Sequence, residues 1–229
     1  MQIAGLQKLT LLDFPGRIAC TVFLCGCNLR CPFCHNASLV LPRGGTDSIT
    51  EDELLAFLQK RRGRLQGVCI TGGEPTLYPD LPDLLRRIGL LGYEIKLDTN
   101  GSNPSMLRSI LAEGLADYVA MDIKNSPGRY TETCGGVDVL DSVRESAALL
   151  MAGGTDYEFR TTLSHPLHTV EDMAAIGQWL RGAKRYYLQQ FVDSGDLIGT
   201  GLSPLTPEEM EAMREAVLPY IKETTLRGI

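Results

Sequence analysis

No apolar run in this chain of 229 residues approaches the roughly twenty needed to span a bilayer, and no basic segment followed by an apolar one opens it. A membrane partner is therefore not expected, and the cytoplasm is the expected compartment. Long runs of lysine and arginine are missing as well. The densest, Lys60-Arg61-Arg62-Gly63-Arg64, reads as the solvated end of a helix, where cations suit the dipole. With a formal charge of -6, the chain is not expected to bind nucleic acid. Internal repeats, low-complexity tracts and long linkers are also absent, and 44% hydrophobic residues suffice for one substantial core. One domain over residues 1–229 is the expectation.

Cysteine is scarce but unevenly placed. Cys27-Asn28-Leu29-Arg30-Cys31-Pro32-Phe33-Cys34 sets three thiols on one short loop in the pattern CxxxCxxC, from which they can converge on a single inorganic core. Clusters of the 4Fe-4S type take four cysteines, one per iron. Here the fourth is missing locally, and a vacant coordination position is the mark of a metal site that binds substrate. The alternative is a structural zinc ion completed by Cys25 or His35, although zinc sites usually show pairwise spacings. Cys20 and Cys69 lie inside apolar runs and read as buried hydrophobes. Cys25 and Cys134 stand beside glycines in expected loops, so either has the freedom to approach the triplet.

Short β-rich runs alternate with helical patterns along the chain. Strands are expected at 18–24, 68–71, 94–98, 118–121, 157–162 and 186–190, each bounded by turn-forming residues. Thr50 with Glu53, Thr169 with Asp172, and Thr206-Pro207 with Glu209 read as helix openings, and Asn103-Pro104 supplies a cap followed by proline. Alternation of strand and helix means a parallel sheet. Six such units fall two short of a closed barrel, so the expected fold is α/β, a partial (β/α)6 TIM-like barrel with one open side.

Ligands of parallel α/β folds gather at the carboxyl ends of the strands. The cysteine loop, Gly72-Gly73-Glu74-Pro75, Asp98-Thr99-Asn100-Gly101 and Asp122-Ile123-Lys124 follow successive expected strands. Gly72 and Gly73 would let the backbone approach a ligand, with Glu74 accepting from an ammonium. Asp98 and Asp122 would concentrate negative charge that Lys124, or a monovalent cation held by Asp98, Thr99 and Asp122, could offset. Arg160, Thr161 and Thr162 end another strand, and alternation turns only some of them inward. His165 and His168 flank Pro166 in a loop and read as surface residues.

Together these motifs resemble the radical S-adenosylmethionine superfamily over essentially the whole chain. The resemblance implies that Cys27, Cys31 and Cys34 hold three irons of a 4Fe-4S cluster and that S-adenosylmethionine chelates the fourth. Reductive cleavage then yields a 5'-deoxyadenosyl radical that abstracts hydrogen. It also implies cofactor contacts from Asn36, Gly72, Gly73, Glu74, Asp98, Asp122, Lys124 and Arg160, and more weakly from Gln190, where some relatives place a histidine. The opening Gln7-Lys8-Leu9-Thr10-Leu11-Leu12-Asp13-Phe14-Pro15-Gly16 and the Cys34-His35-Asn36 continuation are similar to the activating proteins of anaerobic ribonucleoside-triphosphate reductase. A glycyl-radical enzyme is thus the implied partner, with a flavodoxin or ferredoxin-type electron donor. The alternative is a small-molecule enzyme resembling the 7-carboxy-7-deazaguanine synthases. No cysteine-rich insert is present to carry an auxiliary cluster.

Overall fold

Each expected strand segment enters the sheet, and each pairs with its neighbours in chain order. In a computed structural model of the chain, describing residues 1–41 and 48–229, the strands are β1 (Ile3–Thr10), β2 (Ala19–Leu24), β3 (Gly67–Gly72), β4 (Glu94–Thr99), β5 (Tyr118–Asp122), β6 (Asp156–Leu163), β7 (Arg185–Gln190) and β8 (Glu223–Arg227). They form one sheet in the order β1 to β8, with β1 antiparallel to β2 and every later pair parallel.

Strands β2 to β7 agree with the six expected segments to within one residue at each end. The α/β fold stands as expected, and the sheet extends the six expected strands by an edge strand on either side, β1 and β8. Both are edge strands, and their sequences show why they carry no apolar run. The end of β1 exposes Gln7, Lys8 and Leu9, and β8 alternates buried Thr224 with exposed Thr225. By contrast β2 and β3 each open with four buried residues, as strands covered on both faces should. Among the described residues β1 and β8 do not pair, so the sheet keeps two free edges.

The helices are α1 (Ala37–Val40), α2 (Glu51–Arg61), α3 (Leu81–Leu90), α4 (Pro104–Ala112), α5 (Tyr130–Thr133), α6 (Leu140–Ala152), α7 (Val170–Trp179) and α8 (Pro207–Val217). The reciprocal caps expected at Thr50, Thr169 and Thr206 are all formed, each contributing about 1 kcal/mol to its helix start. Helix α3 buries Leu81, Leu84, Leu85 and Ile88, one stripe at helical spacing, and full burial contributes roughly 1.5–3 kcal/mol per side chain. None of the described helices is long and apolar enough to cross a membrane. Helices alternate with strands, so the loops at the strand carboxyl ends collect on one side, and the cysteine triplet, leaving β2, lies among them.

Candidate active site

The cysteine loop is shaped where it leaves β2. Gly73 N–H donates to the Leu24 carbonyl and Glu74 N–H to the Gly26 carbonyl, both at 2.8 Å. These two backbones touch so closely that a Cβ on Gly73 would stand 1.8 Å from the Gly26 oxygen. Gly72, at φ +122, is equally confined, since its Cβ would meet Leu24 main chain at 2.3 Å. The two glycines thus let β3 press against the root of the cysteine loop.

Glu74 has a different task from the one expected. It is fully buried and its carboxylate accepts from Thr76 N–H at 3.0 Å, the Thr76 hydroxyl, the Thr99 hydroxyl at 2.7 Å and Asn100 N–H at 2.6 Å. Burial pushes its carboxyl upward against four bonds that favour ionisation. A carboxylate so engaged ties the ends of β3 and β4 together and has little capacity left for a ligand ammonium. Asn100, to which the strand-end motif assigned no role of its own, donates from its side chain to Asn28 Oδ1 at 3.0 Å and to Cys27 Sγ at 3.7 Å.

A second support comes from the far end of the chain. Between β7 and α8, the segment 191–205 straps the triplet's exit: Gly199 N–H donates to the Pro32 carbonyl at 2.9 Å, and the Ser194 hydroxyl to the His35 carbonyl at 3.1 Å. Asp196 accepts from Ser38 N–H at 3.0 Å and its hydroxyl at 2.7 Å, while its carbonyl accepts from Ala37 N–H at 3.2 Å. Asn36 opens α1 without a side-chain cap of its own, and Asp196 fills that role. No local pattern in the sequence announces this strap.

Cys27, Cys31, Cys34 and Asn36 face a cavity of about 300 Å³ that is also lined by Gly72, Gly73, Asp98, Thr99, Asp122, Lys124 and Arg160. Along one wall charges alternate. Arg160 donates to Asp122 at 2.9 Å and to Asp98 at 3.2 Å, Lys124 pairs with Asp122 at 3.1 Å, and Lys96 pairs with Asp98. Against the pull of burial, Arg160 and Lys96 hold the Asp98 carboxyl below the usual range, and Arg160 with Lys124 holds Asp122 well below it. Burial disfavours the Lys124 ammonium, yet Asp122 holds it above its ordinary value. Three side-chain cations therefore already face the two carboxylates, and the Thr99 hydroxyl is committed to Glu74. The charge argument for a monovalent cation loses its basis here. Lys96, which the sequence reading passed over, had a signal: a lysine in an apolar strand two residues before Asp98 shares its face.

Other expectations divide. Arg160 and Thr162 line the cavity, while Thr161 points away to the Ile123 carbonyl and the Tyr186 hydroxyl. Gln190 is corrected: its amide is spent on the Leu205 main chain at 2.6 and 3.1 Å, and Gln189, the alternate residue of β7, lines the cavity instead. His168 is also corrected from surface to core. It is buried, receives Ser164 N–H at Nδ1, donates from Nε2 to the Lys124 carbonyl at 2.9 Å, and stacks edge-on against Phe33. Cys20 and Cys69 are fully buried as expected. Of the two loop cysteines, Cys134 is tied to the triplet's loop by its main chain, its carbonyl accepting from Arg30 N–H at 3.1 Å.

The donor set fits an iron-sulfur cluster better than a single ion. A zinc ion requires four donors about 2.0–2.3 Å from one point, and no three His, Cys, Asp or Glu side chains among the described residues converge so tightly. A cubane asks for wider spacing, with one thiolate per iron. Burial pushes the Cys27 thiol up to about 11 and raises Cys34 too, so these sulfurs ionise only beside strong positive charge such as iron.

Comparison with known proteins agrees with this geometry. The model of the Radical SAM superfamily matches residues 21–181. A protein of Methanocaldococcus jannaschii, provisionally named a glycyl-radical enzyme activating enzyme, is 29% identical over 99% of this chain and 96% of its own length. A 7-carboxy-7-deazaguanine synthase of Thermococcus kodakarensis is 30% identical over 62% of each chain. Among solved structures, that of Streptococcus suis SuiB bound to S-adenosylmethionine superposes with a TM-score of 0.70 at 16% identity, covering 91% of this chain and 52% of that one, which is a likeness of fold.

Proposed function

This chain belongs to the radical SAM superfamily, and on that premise we propose that it is an activating enzyme that takes a hydrogen from a glycine of a partner glycyl-radical enzyme, of the anaerobic ribonucleoside-triphosphate reductase kind. Members of the superfamily use a 4Fe-4S cluster and S-adenosylmethionine, here with Cys27, Cys31 and Cys34 as the cluster's protein ligands. When bound, that pair supplies a 5'-deoxyadenosyl radical competent to abstract hydrogen from carbon.

What the chain's own residues contribute is position and charge. Asn100 and the Leu29 N–H orient the Cys27 sulfur, and the Asp196 strap holds Asn36 at the cavity wall. Lys124 and Arg160 provide fixed positive charge against an anionic ligand group, and their pairing with Asp98 and Asp122 prevents them from reorienting. Asp98, Asp122, Lys124 and Arg160 are accordingly proposed as cofactor-positioning residues.

The observation that carries the partner assignment is similarity running nearly end to end with a protein named for glycyl-radical activation. The geometry supports it in one respect: the sheet is open between its free edges β1 and β8, and Gln7 of β1 lies on the cavity wall, so an extended segment has a lateral approach. Glycine suits such a substrate, because it has no Cβ to block close approach. The test is to mix the reconstituted protein anaerobically with reductant, S-adenosylmethionine and a candidate reductase. The expected signal is a doublet radical that collapses to a singlet when the partner is made with Cα-deuterated glycine. It disappears when the radical-loop glycine is replaced by alanine. The partial match to a 7-carboxy-7-deazaguanine synthase makes a second reading testable in the same experiment. Turnover of a purine-like small molecule with no radical on any glycyl-radical protein would establish it instead.

A further inference from the structure

Cys27 Sγ receives two donors of different origin. Leu29 N–H, 3.4 Å away, comes with the cysteine loop itself, whereas the Asn100 carboxamide, at 3.7 Å, is brought from the end of β4. Asn100 is buried, and both ends of its side-chain amide are engaged. Its main-chain N–H donates to the Glu74 carboxylate at 2.6 Å, and its Oδ1 accepts from Ser102 N–H at 2.9 Å. With the oxygen so occupied, Nδ2 is turned toward the cysteine loop, where it donates to Asn28 Oδ1 at 3.0 Å as well as to Cys27 Sγ.

The turn that presents Asn100 is clamped independently of the sulfur. Gly101 N–H donates to the Thr99 hydroxyl at 3.1 Å, and the Gly101 carbonyl accepts from the Ser146 hydroxyl of α6 at 2.7 Å. Gly101 has φ +74, and a Cβ there would stand 2.2 Å from the Met121 methyl. Asn28 Nδ2 donates to the Ser102 hydroxyl at 2.9 Å, tying the turn to the cysteine loop a second time. The amide is therefore held beside Cys27 by contacts that do not involve the sulfur.

We propose that Asn100 is a positioning residue of the iron-sulfur site whose N–H bond to the Cys27 sulfur raises the cluster's reduction potential. A ligating Cys27 is a thiolate with no proton to give, and a carboxamide N–H can only donate, so the bond has one direction. When an electron enters the cluster, its negative charge spreads onto the ligand sulfurs, and a donor there stabilises the reduced state more than the oxidised one. A dry interior strengthens such a bond.

The inference rests on the triplet holding a cluster, which the iron content of the wild-type protein tests by itself. Iron absent from wild type would refute the cluster and the proposal with it. Asn100→Leu, which keeps the branched side-chain skeleton without a donor, Asn100→Ala and a control, Ser102→Ala, are reconstituted anaerobically. Iron per chain and the midpoint of a spectroscopic redox titration are measured without S-adenosylmethionine or partner. Full iron is expected in all three. The midpoint should move to more negative values in both Asn100 variants and stay at the wild-type value in Ser102→Ala, which removes a hydroxyl of the same network but keeps the main-chain N–H that orients Asn100. An unchanged midpoint in whichever Asn100 variant loads iron would overturn the proposal. So would loss of iron from both, since Asn100 would then hold the loop instead of tuning the cluster, and so would an equal shift in Ser102→Ala, which would trace the effect to the network's geometry.

Discussion

Between Cys25 and Asn36 the chain has left the sheet and is held from outside, whereas Lys96, Asp98, Asp122 and Arg160 stand on the strands themselves. The loop depends on close backbone approach at Gly73, Gly135 and Gly199, contributed by three distant segments. The charged wall depends on strand register: Asp98 pairs with Ala120 between β4 and β5, and Asp122 with Arg160 between β5 and β6. Both face one cavity, yet a single added methyl can dislodge the first, and only a change of charge disturbs the second.

The contrast predicts its largest effect at Gly73. Replacing it by alanine places a Cβ 1.8 Å from the Gly26 oxygen, a contact between two backbones that no rotamer relieves. Iron bound after anaerobic reconstitution should fall close to that of a Cys27→Ala protein. Iron equal to wild type would break the claim that β3 shapes the loop.

Next in size is Arg160→Met, which leaves Asp98 and Asp122 without the cation they share. Removing one partner of a largely buried ion pair costs about 3–5 kcal/mol, here at the lower end because each aspartate keeps its lysine. Denaturant unfolding should show the loss while iron per chain is preserved. Lost iron with unchanged stability would invert the comparison.

Asp98→Asn and Asp122→Asn should act more gently, keeping iron and weakening S-adenosylmethionine binding by about tenfold, the ~1.4 kcal/mol of one charged contact. Equilibrium binding to the reconstituted proteins measures it. Iron loss in either protein would place these carboxylates in the cluster's support instead of the wall.

The smallest effect is expected at His168, where the two regions meet through Phe33 and the Lys124 carbonyl. Burial holds its imidazole below the ordinary value near 6.5, so the folded protein favours the neutral ring and the unfolded chain protonates first as pH falls. The stability this contributes is present above about pH 6.5 and is lost as pH drops toward the folded value. Unfolding midpoints of wild type between pH 7.5 and 5.5 should decline more steeply than those of His168→Gln. Parallel declines would show that the histidine is not held neutral.

Much of this site was legible in advance, for local reasons. The CxxxCxxC spacing puts three thiols on one loop whatever surrounds it, and Thr50, Thr169 and Thr206 open helices through atoms three residues away. The strands β2 to β7 announce themselves because burial on both faces demands continuous apolar residues. Strands β1 and β8 escaped because an edge strand can be half polar, and Gln190 was mistaken for Gln189 because a one-residue choice reverses the face of a strand.

The amino-acid sequence alone determined the three-thiol loop, the alternation of strand and helix, and the gathering of motifs at strand ends, since each follows from residue spacing and backbone propensity. Tertiary structure decided which neighbours surround the thiols and the charged wall. Glu74 became a tie between strands, Asp196 a cap for a helix opened by Asn36, Lys96 the counterion of Asp98, and the Cys134 carbonyl an anchor for Arg30. Each of those roles arises only when segments far apart in the chain are packed together, where burial makes every polar group seek whichever partner the fold has brought within reach.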